Sequence, residues 1–105
     1  MNAVIVANIR TCERPDGKRS IFVARPSALG NPFKIGRDGD RDECIAKYAT
    51  WLDTQLADPA TAAARKFAGL QKALAKYGTL TLVCWCAPER CHAEVIGDRL
   101  LAVTP

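Results

Sequence analysis

The stretch TLTLVCWCAPERCHAEVI, residues 79–96, decides how the chain is read. Its first seven residues, Thr79 to Trp85, have the β-rich, period-two pattern of a strand. Leu80, Leu82, Cys84 and Cys86 fall on one face, and Val83 and Trp85 fall on the other. A strand with apolar or thiol side chains on both faces suits the centre of a sheet between helix layers. Residues 87–90, Ala-Pro-Glu-Arg, read as a tight loop. A helix is expected from about Cys91 to Ala102, burying Val95, Ile96 and Leu100.

Working outward, AVIVANI at 3–9 reads as a first strand and SIFVA at 20–24 as a second. Pro15-Asp16-Gly17-Lys18 is a strong turn signal between them, and the short separation predicts an antiparallel hairpin. Residues 25–40, RPSALGNPFKIGRDGD, hold two prolines and three glycines with no clean period, which predicts a loop. Leu29, Phe33 and Ile35 argue that this loop is ordered. A helix is expected from near Asp40, because Asp40 and Glu43 form a capping-box pattern. Ile45, Tyr48, Ala49, Leu52 and Leu56 supply its apolar face, with Trp51 also read as core. Asp58-Pro59 reads as the cap and first residue of the next helix. Phe67, Leu70, Leu74 and Tyr77 form the buried stripe of that helix, and Gly78 closes it. Arg65, Lys66, Lys72 and Lys76 read as its solvated face. The order β-β-α-α-β-α predicts an α/β fold, a small sheet of about three or more strands flanked by helices in two or three layers. At 105 residues, the chain is expected to form a single domain over 1–105.

The composition is that of an ordinary soluble globule, 49% hydrophobic and 25% charged. No apolar run approaches the roughly 18 residues that span a membrane, and the N-terminus lacks the pattern of a secretory leader. The expectation is therefore a cytoplasmic protein without membrane association. The five cysteines are an odd number, and a reducing compartment favours metal ligands, catalytic thiols or buried thiols over disulfides. The net charge of +4 favours anionic partners only weakly, and no dense basic run marks a nucleic-acid binder.

Three cysteines and the chain's single histidine fall within residues 84–92. Cys84 and Cys86 are two apart on a strand and share a face. Cys91 and His92 open the following helix, whose first turn presents unpaired N–H groups and the positive end of the dipole. Three readings stay open. Cys84, Cys86, Cys91 and His92 supply a Cys3His zinc set, although the spacing is unusual for one. Alternatively, Cys91 is a nucleophile, since a thiol at a helix start is stabilised as thiolate, with His92 as its proton acceptor. Finally, Cys84 and Cys86 are small core hydrophobes, as free cysteines often are. That last reading does not suit Cys91 and His92, because a loop-to-helix junction is seldom deep core.

A second constellation is RPSALGNPF at 25–33. Arg25 can grip an anion bidentately, Gly30 permits close backbone approach, and Asn31 offers a donor and an acceptor. A rigid connector, with Asn31 bonding its own turn, explains the same residues. Asn8 and Arg10 either join this site or end a strand in solvent.

Taken together, N-x-R near the start, RPSALGNPF, an acidic helix start followed by Tyr48 and Trp51-Leu52, and LVCWCAPERCHAEVI resemble domain-of-unknown-function family 4326, whose members are small bacterial and phage proteins. The likeness spans nearly the whole chain. The family elements it carries are Arg25, Gly30, Asn31, Pro32, Phe33, Cys84, Trp85, Cys86, Pro88, Cys91 and His92. Ala24 and Ala93 stand where the family pattern often has glycine. The resemblance implies a site built from both loops and, for a phage-encoded member, residence in the host cytoplasm. It implies no activity.

The resulting expectation is one pocket between the two segments. Arg25, Ser27, Gly30, Asn31, Phe33, Asn8, Arg10 and Trp85 would hold a small anionic ligand there. A helix N-terminus, an arginine and a polar loop favour a nucleotide-like one, although no P-loop or dinucleotide fingerprint is present. Cys91 and His92 would be the groups able to act on it. The alternative is a zinc-stabilised module that contacts nucleic acid or a host protein without catalysis.

Overall fold

A computed structural model describes residues 2–10, 20–85 and 89–103. Three strands and three helices follow in the expected order: β1 (Ala3–Asn8), β2 (Ser20–Phe22), α1 (Arg41–Leu56), α2 (Ala62–Tyr77), β3 (Thr79–Cys84) and α3 (His92–Val103). The fold is a small compact α/β one, and its sheet has the order β1-β3-β2. β3 is the central strand, as its two-faced apolarity predicts.

The hairpin expectation is overturned. β1 and β2 do not pair with each other, and each runs parallel to β3 on opposite sides of it. The proposed turn at 15–18 lies outside the described residues. Burial decides the pairing here. β3 is the most buried of the three strands and offers both of its edges to partners. Its register sets Val4 opposite Leu80, and Val6 and Ile21 opposite Leu82, so these side chains share one face. Hydrogen bonding continues past the strand ends, from Ile9 N to Cys84 O and from Val23 N to Val83 O.

Leu80, Leu82 and Cys84 join the buried residues of all three helices in one core. The opposite sheet face is not covered in the same way: Ile5 and Trp85 remain about half exposed, at 52% and 53%. Of the two layerings that the sequence allows, the described residues show two layers.

α1 begins at the predicted capping box. The Asp40 carboxylate accepts from Glu43 N, and the Glu43 carboxylate accepts from Asp40 N. Ile45, Tyr48 and Leu52 are buried along it, with Ala49, Trp51 and Leu56 packed against the core. α2 starts later than expected. Its cap is Thr61, whose hydroxyl accepts from Ala64 N, while Asp58 accepts from Ala60 N in the preceding turn. Both acceptors can close a turn, and Thr61 is the one in register with the Phe67, Leu70 and Leu74 stripe. Gly78, at φ 75°, ends the helix as predicted. α3 begins at His92 and leaves Cys91 just before it.

Because β2 and β3 are parallel, the segments that leave their C-terminal ends emerge at one edge of the sheet. That edge is where open α/β sheets place ligands. Here it brings residues 24–35 against Trp85 and residues 90–92. Among the described residues, no helix is long and apolar enough to cross a membrane.

Candidate functional site

The segment after β2 closes on itself before it reaches the site. Ser27 N donates to Ala24 O, Gly30 N to Ser27 O, and Leu29 N to the Ser27 hydroxyl. A Cβ placed on Gly30 would lie 2.8–2.9 Å from Arg25 N, Cα and Cγ, so only glycine lets the chain pass over Arg25. Leu29 is fully buried, and its carbonyl accepts from the Tyr48 hydroxyl at 2.7 Å, which anchors the loop to α1. Burial holds that phenol far above its ordinary pKa, so Tyr48 is a neutral donor. Asn31 Oδ1 accepts from Phe33 N, the local turn that the connector reading predicts. Asp38 gathers the next turn, accepting from Lys34 N and the Arg37 guanidinium. Those bonds hold its carboxyl below the usual carboxylate range, the Arg37 contact contributing most.

The second wall comes from β3 and α3. Trp85 O accepts from Asn8 Nδ2, and the Arg10 guanidinium lies 5.9 Å from the centre of the Trp85 ring. The Trp85 ring meets Phe22 edge to face. Two ion pairs and a hydrogen bond tie this wall to the start of α1. Arg41 pairs with Glu89 at 2.9 Å and donates to Arg90 O, and Arg90 pairs with Asp42 at 2.8 Å.

Between the walls lies a cavity of about 570 Å³. Arg25, Asn31, Phe33, Trp85, Cys91 and His92 line it, so the structure brings six of the sequence-derived residues together. Asn8, Arg10, Ser27 and Gly30 do not line it. Asn8 fixes the Trp85 backbone, Arg10 stacks beside that ring, Ser27 closes its own turn, and Gly30 seats Arg25. The sequence reading did not single out Lys34, Arg41 or Cys44, yet all three line the cavity. Lys34 directly follows the quoted loop. Arg41 and Cys44 read as helix residues and carry no local signal of a site. Ile35, taken as an ordering contact, instead stands 55% exposed at the lining.

Among the described residues, four cations line this cavity, Arg25, Lys34, Arg41 and Arg90, and no carboxylate does. Arg41 and Arg90 are partly neutralised by Glu89 and by Asp42 and Glu94. The side chains of Arg25 and Lys34 make no ion pair or hydrogen bond among the described residues.

His92 is 7% exposed and Cys91 is 3% exposed. The sequence reading set both outside the core, but they are core residues and cavity wall at once. His92 Nε2 lies 2.8 Å from Val23 O. A carbonyl only accepts, which assigns the hydrogen to Nε2 and leaves the Nδ1 lone pair in the neutral ring. Burial is the main cause lowering the ring's pKa below the ordinary histidine value. The Val23 carbonyl opposes that shift and Arg25 adds to it. The ring also meets Tyr48 edge to face at 5.1 Å.

Cys84 is fully buried, as the packing reading expects, and its sulfur lies 3.3 Å from Cys91 Sγ. Cys44, Cys84 and Cys91 are buried and form no disulfide with one another. Of the four proposed zinc ligands, Cys86 lies outside the described residues, and His92 donates through Nε2 to Val23 O, which leaves Nδ1 as its only ligating atom. Two thiolates on a tetrahedral zinc at about 2.3 Å stand about 3.8 Å apart, wider than this pair. Among the described residues, no group of three or more His, Cys, Asp or Glu could hold a metal.

A family model described as a domain of unknown function (DUF4326) matches residues 7–101. No curated protein and no solved structure matches the chain. The chain belongs to that family, as the two loop motifs imply.

Proposed function

From that membership, which carries no activity with it, we propose that the protein binds a small anionic, nucleotide-like ligand in the cavity between residues 24–35 on one side and Trp85 and residues 90–92 on the other. The observation that carries this reading is the pair of unpartnered cations. Arg25 and Lys34 face a cavity that no carboxylate lines among the described residues. Positive charge left uncompensated in a concave site favours an anion, and guanidinium suits phosphate or carboxylate oxygens. The volume of about 570 Å³ falls within the usual range for small-molecule sites. Phe33, Ile35 and Trp85 supply apolar surface on which a flat ring can pack. His92 adds one acceptor, Nδ1, for a ligand hydroxyl or N–H.

Cys91 and His92 are the groups able to act on such a ligand. A neutral imidazole can take a proton near pH 7, and a thiol beside it is a nucleophile once deprotonated. Calorimetric titration with nucleoside mono-, di- and triphosphates and with inorganic pyrophosphate tests the binding. Saturable binding of at least one probe is expected, weakened about 10-fold or more by Arg25→Ala and by Lys34→Ala, the worth of one charge-assisted hydrogen bond. No saturable binding at millimolar probe, or binding indifferent to both substitutions, overturns the reading.

The zinc-module alternative retains one supporting observation, the contact between the Cys84 and Cys91 sulfurs. Metal analysis of protein purified without added zinc decides it. One zinc per chain, with unfolding on chelation, would favour that module over the ligand site.

A further inference from the structure

We propose that Cys84 and Cys91 are a redox-active dithiol at the cavity wall, which closes to an intramolecular disulfide when a small hydroperoxide enters the cavity. The proposal does not depend on which anion the cavity binds.

The first observation is proximity. The two sulfurs are 3.3 Å apart, against about 2.05 Å in a disulfide, so closure needs a movement of little more than 1 Å. Cys84 is the last residue of the central strand, and Cys91 directly precedes α3. The second observation is access from one side only. Cys84 is fully buried, whereas Cys91 lines the cavity despite its 3% exposure. A small oxidant in the cavity therefore meets Cys91 first, and Cys84 stands behind it as the resolving thiol. The third observation concerns charge. Arg25, Lys34, Arg41 and Arg90 line the same cavity, and positive surroundings stabilise a thiolate.

The chemistry balances with hydrogen peroxide as the oxidant. The Cys91 thiolate attacks one peroxide oxygen, an S–O bond forms, the O–O bond breaks, and hydroxide leaves and is protonated to water. Cys84 then gives up its proton and attacks the Cys91 sulfur. The S–S bond forms as the S–O bond breaks, and the departing hydroxide takes that proton as a second water. Two thiols are oxidised by two electrons, and one peroxide is reduced to two waters. Oxidation draws the Cys91 sulfur toward the strand and away from the cavity, so that this thiol can no longer attack a bound ligand.

The experiment treats the fully reduced full-length chain with stoichiometric hydrogen peroxide, quenches it with an alkylating agent and maps peptides by mass spectrometry without reduction. The expected result is the loss of two thiols per chain, the mass of two hydrogens, a Cys84–Cys91 cross-linked peptide, and recovery of both thiols on adding dithiothreitol. Cys86→Ser should retain the cross-link, while Cys84→Ser should leave Cys91 as a sulfenic or over-oxidised acid. If Cys84→Ser does not fold, mapping of the wild type and of Cys86→Ser still decides. A cross-link through Cys86 instead, oxidation of Cys91 to sulfinic acid with Cys84 still free, or no thiol loss overturns the proposal. Zinc held stoichiometrically by these thiols in the protein as purified overturns it too.

Discussion

Lowering the pH from 7.5 to 5 should destabilise this protein through one residue. His92 is the only histidine in the chain. It is buried, donates through Nε2 to Val23 O, and has its pKa depressed mainly by that burial. In the unfolded chain the same ring titrates near 6.5. Between the folded value and about 6.5 the unfolded state binds more protons, so unfolding takes up protons and stability rises with pH. The contribution is complete above about pH 6.5 and is lost as the pH falls toward the folded value. The slope cannot exceed about 1.4 kcal/mol per pH unit, the worth of one proton. Of the other described groups with a resolved shift, none titrates in that window. Asp38 and Asp53 are held below the ordinary carboxylate range by Arg37 and Arg99, and the Tyr48 phenol stays neutral. The Arg25 guanidinium opposes the imidazolium and adds to the depression.

The assay is urea unfolding at half-unit steps across that range, with His92→Gln beside the wild type, since the glutamine amide can still donate to Val23 O. The wild type should lose stability below about pH 6.5 by up to about 1.4 kcal/mol per unit, with an unchanged m-value. His92→Gln should be less stable at pH 7.5 and nearly flat down to pH 5. A wild type that is flat from pH 7 to 5, or a variant that falls in parallel with it, would refute the assignment of a buried neutral imidazole.

Three further outcomes are expected. Gly30→Ala should cost about 1–3 kcal/mol in thermal or chemical unfolding and weaken anion binding, because its Cβ would press on Arg25 backbone atoms that cannot yield. Tyr48→Phe should cost about 1–3 kcal/mol in denaturant titration, since the buried Leu29 carbonyl loses its donor. Asp40→Ala and Thr61→Ala should each cost about 0.5–2 kcal/mol as lost caps, whereas Asp58→Ala should cost clearly less, a comparison that checks where α2 begins.

What the sequence reveals and hides divides along physical lines. Local chemistry is legible: the Asp40–Glu43 box, the Ile45–Tyr48–Leu52 face and Gly78 each encode their structure within a few residues. Strand direction is not local. Nothing in AVIVAN or SIF states whether the two runs pair with each other or with a strand more than 50 residues later, and the burial of β3 settles it. The Asp58 error is of a different kind, since two good caps lie three residues apart and only the helix register chooses between them.

The site follows the same division. Arg25, Asn31, Trp85, Cys91 and His92 were recognisable because glycine, proline and thiol punctuation marks their loops. Lys34 and Arg41 were not, because a cation beside a loop or on a helix start has the sequence signature of an ordinary solvated residue. Only the tertiary arrangement shows that Glu89 answers Arg41 while, among the described residues, no carboxylate answers Arg25 or Lys34. The burial of Cys91 and His92 has the same origin. The segment from Val23 to Leu29 folds back over the start of α3 and is held there by the His92–Val23 and Tyr48–Leu29 hydrogen bonds. Each bond pairs a side chain of one helix with a carbonyl of the same loop, so one loop both completes the core and forms the cavity wall. A substitution that loosens that loop should therefore lower stability and the proposed ligand affinity together, whereas Lys34→Ala, which removes a side chain without an ion pair or hydrogen bond among the described residues, should change affinity alone.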